Sequence, residues 1–139
     1  MVEQLSIFAE NAKGSLLKIT QALLDHNINM NTLITNDSAE FGIIRMLVSD
    51  AHAAEQALKQ AGYICRVDQV LAIEIGDECG CLNRLLKIIS AGNINVEYVY
   101  VTYTSFSKHP VTILKTFDMY EVNDFLISKG YSSLNTIEQ

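Results

Sequence analysis

Two short polar loops contain the residues of this chain that are best suited to bind a charged small molecule. They are Asn11–Leu16 and, 66 residues further on, Asp77–Leu82. Each contains a glycine and stands where a predicted strand gives way to a predicted helix. The first turn of a helix has unpaired backbone N–H groups and partial positive charge, so it suits a carboxylate. Glycine also lets the backbone approach a ligand closely, and the two loops are therefore candidate binding elements.

The two loops belong to a tandem duplication. The glycine and leucine of each loop recur at the 66-residue offset, and so does a tripeptide beyond the helix, Asn27-Ile28-Asn29 and Asn93-Ile94-Asn95. A period of half the chain indicates two similar units and not a solenoid. The predicted domains are residues 1–68 and 69–139. No proline- or glycine-rich linker separates them, because Asp68-Gln69 runs directly from one predicted strand into the next.

Hydrophobic periodicity predicts the elements that position the first loop. Residues 2–9 alternate, with Leu5, Ile7 and Ala9 on the inward face, which predicts a strand. Leucine and isoleucine then recur at helical spacing, and Ser15 is the predicted N-cap of this helix. Its predicted core stripe contains Leu16, Leu17, Ile19, Ala22, Leu23 and Leu24.

The same order of elements is predicted for the rest of each unit. In the first unit, a hairpin of two strands follows the helix, Asp50 begins a second helix and Gly62 ends it. The last strand of that unit is 63–67. The second unit is predicted to contain strands at 70–75, 94–104 and 111–117, helices at 82–91 and from Asp118 to Gly130, and a short last strand after Tyr131. The leucines Leu82, Leu85 and Leu86 are assigned to the core of its first helix.

This β-α-β-β-α-β order predicts an α+β fold of two tandem ferredoxin-like units, each an antiparallel sheet with both helices on one face. We expect the two sheets to lie side by side, because that arrangement removes one exposed edge from each sheet. A unit of about 68 residues buries only about 60% of its unfolded surface and is marginal alone. We therefore expect the units to pack together and the chain to form a homodimer.

Composition limits the partners of this chain. The hydrophobic content is 49% with a single proline, which indicates a well-ordered globular protein. The net charge of −6 disfavours nucleic acid and anionic membranes, since both need a basic face. We expect no secretory signal, because Met1–Gln4 has neither a basic region nor an apolar run, and no membrane span, because no apolar run has the necessary length. The three cysteines have no disulfide-like spacing, so reduced thiols in the cytoplasm are the simplest interpretation.

No catalytic residues and no cofactor are predicted, because none of the common nucleophile, nucleotide-binding or zinc-protease motifs occurs. Cys79 and Cys81 offer an alternative, since two thiols one residue apart could bind a metal or form a redox pair. The spacing is not Cys-x-x-Cys, however, and the first copy has Lys13 and Ser15 at these positions. Further metal ligands would have to come from scattered residues, namely Cys65, His26, His52 and His109.

The chain resembles the ACT-domain family, and specifically proteins with two ACT units in tandem. The resemblance rests on the element order, on the loop pattern [Asn/Asp]-x-x-Gly-x-Leu and on the Asn-Ile-Asn that begins the next strand, all present twice. Many ACT domains have proline before the glycine, where Lys13 and Cys79 stand here. The resemblance implies a non-catalytic regulatory protein that binds an amino acid between the loop of one unit and the second strand of a neighbouring unit. A regulated enzyme is a possible partner, and an interaction module without a small ligand is the alternative.

The resemblance also implies which residues bind the ligand. They are Asn11, Ala12, Lys13, Gly14, Ser15, Leu16, Asn29, Asp77, Glu78, Cys79, Gly80, Cys81, Leu82 and Asn95. Asn11 or Asp77 could accept a hydrogen bond from an α-ammonium group, and the acidic second loop is the less suitable one for a carboxylate. We therefore predict Asn11–Leu16 as the primary site. For Asn27 and Asn93, a role in ending the helix is the simpler interpretation.

Overall fold

The structure is a computed structural model that describes residues 1–10, 12–35 and 41–138, with the side chain of Phe41 not described. Its elements are β1 (Val2–Glu10), α1 (Ser15–Asp25), β2 (Met30–Thr35), β3 (Phe41–Val48), α2 (Ala51–Gln60), β4 (Ile64–Glu74), α3 (Cys81–Ala91), β5 (Val96–Thr102), β6 (Val111–Thr116), α4 (Met119–Ser128) and β7 (Ser132–Ser133). The chain divides into two compact units. One is Glu3–Asp68, and the other contains Met1–Val2 and the residues from Gln69 onward.

The first unit is an antiparallel sheet with its core between β1, β3 and the two helices. Strand β3 pairs with both β1 and β2, and Met46 is the register partner of Leu5 on one side and of Leu33 on the other. Helices α1 and α2 contact each other. The core contains Leu5, Ile7, Ala9, Ile19, Leu23, Ile28, Ile44, Met46, Val48, Ala51, Ala54, Leu58 and Cys65. The predicted inward face of β1 is confirmed.

The second unit repeats this plan. Strand β6 pairs antiparallel with β4 and β5, and the short β7 pairs antiparallel with β4. The core contains Leu71, Ile73, Ile75, Cys81, Leu85, Ile89, Leu114, Met119, Val122 and Leu126. The element order confirms the predicted α+β fold with two ferredoxin-like units. The predicted short last strand after Tyr131 is also confirmed.

Strand β4 differs from the prediction. The sequence indicated separate strands at 63–67 and 70–75, but Ile64–Glu74 is one continuous strand of 11 residues. Asp68 and Gln69 lie within it, and the boundary between the two compact units falls between them. A polar pair inside a strand is compatible with strand geometry, because neighbouring side chains point to opposite faces.

The helix N-termini divide into two kinds. Asp50 and Asp118 cap α2 and α4 as predicted, and their carboxylates accept from the N–H groups of Ala53 and Glu121. The prediction that Ser15 caps α1 was wrong. Ser15 and Cys81 already belong to the first helical turn, so the N-cap positions are Gly14 and Gly80. Neither N-cap has a side-chain hydrogen bond, because glycine has no side chain.

The asparagines that follow α1 and α3 end these helices, as the simpler interpretation held. Asn27 has φ 53° and Asn93 has φ 55°, which is the left-handed region that asparagine tolerates better than most residues. The Ile28 N–H donates to Leu23 O at 2.9 Å, and the Ile94 N–H donates to Ile89 O at 3.2 Å. Both ends therefore have the hydrogen bond of a Schellman motif.

The predicted core stripe of α1 was too wide. Ile19 and Leu23 are buried, but Leu17 and Leu24 expose 70% and 69% of their surface. A helix that packs on one sheet covers only part of its circumference, so an apolar arc wider than the sheet contact leaves residues in solvent. The assignment of Leu86 to the core of α3 was wrong for the same reason, because this side chain is partly exposed.

Candidate ligand-binding loops

The first loop begins α1 with two backbone N–H groups that have no acceptor within the helix. Gly14 has φ 82°, and its carbonyl accepts the first α-helical hydrogen bond, from the Lys18 N–H at 3.0 Å. The N–H groups of Leu16 and Leu17 precede that bond, so helix geometry gives them no internal partner. Ala12, Lys13 and Gly14 are exposed, Ser15 is half-buried and Leu16 is exposed. Asn11 lies outside the described residues.

The second loop has the same geometry with more support from its surroundings. Gly80 has φ 92°, its carbonyl accepts from the Arg84 N–H at 2.9 Å, and Leu82 and Asn83 therefore have the N–H groups without an internal partner. A Cβ atom at Gly76 would lie 2.8 Å from the Cys81 Sγ. Glycine at this position therefore lets the loop close onto the buried thiol.

A cavity of about 510 Å³ lies at the N-terminus of α3. Its lining residues are Ile75, Gly76, Asp77, Glu78, Gly80, Cys81, Leu82, Asn83, Leu86, Val101 and Pro110. Asp77 and Glu78 are exposed and supply carboxylates, and Leu86 and Val101 supply an apolar wall. The arrangement can pair an anion with the helix N-terminus, a cation with the carboxylates and an apolar group with the wall.

The two candidate asparagines do not belong to these loops within their own units. Asn95 lines two other cavities, of about 250 and 370 Å³, at the C-terminal end of α3. Helix α3 has 11 residues, which corresponds to about 16 Å at 1.5 Å per residue. The Asn29 N–H donates to Ser49 Oγ at 3.0 Å, and its side-chain amide donates to Asn31 Oδ1 at 3.1 Å. Each asparagine follows the helix whose N-terminus its unit's loop forms, and neither lines the cavity at the second loop.

The sequence indicated most of the second loop but missed part of the cavity wall. Asn83 and Leu86 could have been inferred from α3, since residues one and four positions after Leu82 lie near the start of the same helix. Val101 and Pro110 had no local signal. The pairing of β5 with β6 brings them to the loop, together with the bond from the Ile75 N–H to Pro110 O at 2.9 Å.

The cysteines differ in environment. Cys79 is exposed, Cys65 and Cys81 are buried, and all three are free thiols. Within residues 1–10, 12–35 and 41–138, no group of three or more His, Cys, Asp or Glu side chains is arranged to hold a metal ion. Burial raises the pKa of the Cys65 thiol, and nearby Glu55 raises it further while Lys59 opposes the shift.

The fold is that of a pair of ACT domains, and the comparisons with known proteins establish the family. The ACT domain pair family matches residues 1–137, so this chain belongs to it. The chain is similar to protein BT0572 from Bacteroides thetaiotaomicron, with 31% identity, a TM-score of 0.87 and coverage of 96% of this chain and 91% of that one. No curated protein sequence matches significantly.

Two more distant solved structures share the fold. The regulatory subunit of aspartate kinase from Thermus thermophilus, in its ligand-free form, has 14% identity and a TM-score of 0.64, with 91% of both chains covered. Aspartokinase III from E. coli, in complex with lysine and aspartate, has 17% identity and a TM-score of 0.52. That match covers 91% of this chain and 30% of the E. coli chain. In the described part of the present chain, no helix is long and apolar enough to cross a membrane.

Proposed function

We propose that this chain is a non-catalytic regulatory protein of the cytoplasm that binds an amino acid through its strand-to-helix loops. The observation that carries this proposal is the cavity at the N-terminus of α3. It combines the unpaired N–H groups of Leu82 and Asn83 with the carboxylates of Asp77 and Glu78 and with an apolar wall. An α-amino acid has the complementary set of groups, namely a carboxylate, an ammonium and a side chain.

Membership of the ACT domain pair family supports a regulatory role, and the similar proteins support amino acids as the ligand class. One of them is a regulatory subunit of aspartate kinase, and another is a complex with lysine and aspartate. We propose that Asn29 or Asn95 completes the site from a second ACT unit, since neither lies at its own unit's loop. We also propose that the chain forms a homodimer and that it binds an enzyme whose activity it regulates.

Which loop is the primary site follows from charge. The second loop offers two carboxylates, which attract the ammonium group and repel the carboxylate of a bound amino acid. The first loop has Lys13 instead, which favours the carboxylate. We therefore propose Asn11–Leu16 as the primary site and Asp77–Leu82 as a second site with preference for neutral or cationic amino acids.

The test is titration of the twenty amino acids by calorimetry, with thermal unfolding as a second measurement. A ligand at 100 times its dissociation constant should stabilise the protein by about 2.7 kcal/mol. We expect Gly14→Ala to weaken binding at the first loop and Gly80→Ala at the second, at least tenfold each. A Cβ at either position would project into open space at the loop, where it meets no other part of the protein within 4 Å and would compete with a ligand for that space.

Gly130→Ala is the matched control. Gly130 has φ 91°, against 92° for Gly80, and a Cβ there also meets nothing within 4 Å. An alanine in the left-handed region costs about 1–2 kcal/mol at any of these sites, so all three variants should lose similar stability. Only the loop variants should lose affinity. No response to any of the twenty amino acids, together with a stoichiometric protein partner, would favour the interaction module instead.

A further inference from the structure

Helix α1 has an apolar outer face that the fold does not use. Leu17 and Leu24 are exposed and seven residues apart, which is about two turns, so they lie on the same side of the helix. The side that packs on the sheet is defined by the buried Ile19 and Leu23. These two leucines make up what we call the outer face of α1.

The duplication supplies an internal comparison for this face. At the 66-residue offset, the buried Ile19 and Leu23 correspond to Leu85 and Ile89, which are also buried. The exposed leucines Leu17 and Leu24 correspond to Asn83 and Ser90, which are exposed polar residues. The second copy thus forms the same helix on the same kind of sheet with a polar outer face. Folding therefore does not explain the leucines of the first copy.

Charges beside the outer face are arranged so that the helix complements itself. Lys18 and Asp25 are exposed, opposite in sign and placed on either side of the middle of α1. When two copies of the helix pair antiparallel about a twofold axis, Lys18 of one lies near Asp25 of the other. A parallel arrangement would instead bring like charges together. The antiparallel arrangement also places the positive end of each helix dipole beside the negative end of its partner.

We propose that α1 is an interface between two copies of this chain, with Leu17 of one copy against Leu24 of the other and Lys18 paired with Asp25. An antiparallel pair of helices about 16 Å long buries less than the roughly 800 Å² per partner of a standard interface. The dimer is therefore reversible and depends on concentration. This assignment is independent of whether the loops bind a ligand.

The first experiment is sedimentation velocity of the full chain from micromolar to millimolar concentration. The double substitution Leu17→Asn with Leu24→Ser gives α1 the residues of the second copy. We expect this variant to raise the dimer dissociation constant at least tenfold while circular dichroism and thermal unfolding show an intact fold. Ile64→Ser and Phe117→Ser are the controls, because these side chains are 74% and 96% exposed and lie outside α1. The controls should dimerise like the original chain.

The second experiment tests the direction of pairing by charge reversal. Lys18→Asp should weaken the dimer, and Lys18→Asp combined with Asp25→Lys should restore it. The two residues are seven positions apart, or about 10.5 Å along one helix, so they cannot form an ion pair within a copy. Recovery therefore reports a contact between copies. A chain that stays monomeric, a dimer insensitive to the leucine substitutions, or a double charge variant without recovery would each overturn the proposal.

Discussion

The side chain of Cys81 has a packing role that its sequence context conceals. From the sequence, Cys79 and Cys81 were equivalent candidates for thiol chemistry. In the fold Cys79 is exposed, and Cys81 is buried in the core of the second unit and faces Gly76. Burial depends on contacts between residues far apart in sequence, so residue type and spacing could not distinguish the two cysteines.

The contact between residues 76 and 81 can be tested by a double-mutant cycle. Gly76→Ala places a Cβ 2.8 Å from the Cys81 Sγ and should destabilise the protein by about 1–3 kcal/mol through overpacking. In a Cys81→Ala background the sulfur is absent and the nearest Cys81 atom to the new Cβ is 3.9 Å away, so the penalty should be much smaller. Urea unfolding of the four proteins measures this coupling. Additive effects would show that the two residues do not compete for space.

The Cys65 thiol gives a pH dependence whose sign follows from its environment. Burial raises its folded-state pKa above the ordinary value, so the folded protein retains the proton more strongly than the unfolded chain does. Its contribution to stability is complete below the unfolded pKa, near 9.0, and is lost as pH rises through the folded pKa. We expect the original chain to lose more stability between pH 8 and pH 10 than Cys65→Ala. Urea unfolding at the two pH values measures the loss of stability of each protein. If the original chain and Cys65→Ala lose the same amount, this explanation is contradicted.

At the scale of elements, the two kinds of helix N-terminus predict different responses to alanine. Asp50 and Asp118 each accept a backbone N–H, at 2.9 and 3.1 Å, so Asp50→Ala and Asp118→Ala should each cost about 1 kcal/mol. Ser15 provides no cap hydrogen bond, and Ser15→Ala should change stability by much less. Thermal unfolding of the three variants measures the difference. A loss at Ser15 as large as at Asp50 would contradict the observed cap positions.

Local patterns predicted most elements because helix and strand periodicity are local properties. The alternation of β1 and the aspartate caps of α2 and α4 were confirmed. The prediction failed where the answer depends on what an element packs against. Leu17 and Leu24 have the spacing of a core stripe, yet the sheet contacts only the side of α1 that contains Ile19 and Leu23.

At the scale of the whole molecule, the duplication was the strongest signal in the sequence. It predicted the same order of elements in both units, so the pattern of each copy supported the assignments in the other. The candidate site was only partly predictable. The loop pattern indicated Gly80 and Leu82, but Val101 and Pro110 reach the cavity through long-range strand pairing that no local pattern encodes.

The continuity of β4 has a consequence for separating the two halves of this chain. Asp68 and Gln69 are consecutive residues of one strand, and the boundary between the compact units passes between them. Producing residues 1–68 and 69–139 as separate polypeptides would leave each with a truncated strand and a new chain end at the cut. The intact pair is therefore the smallest part of this chain in which every strand is whole.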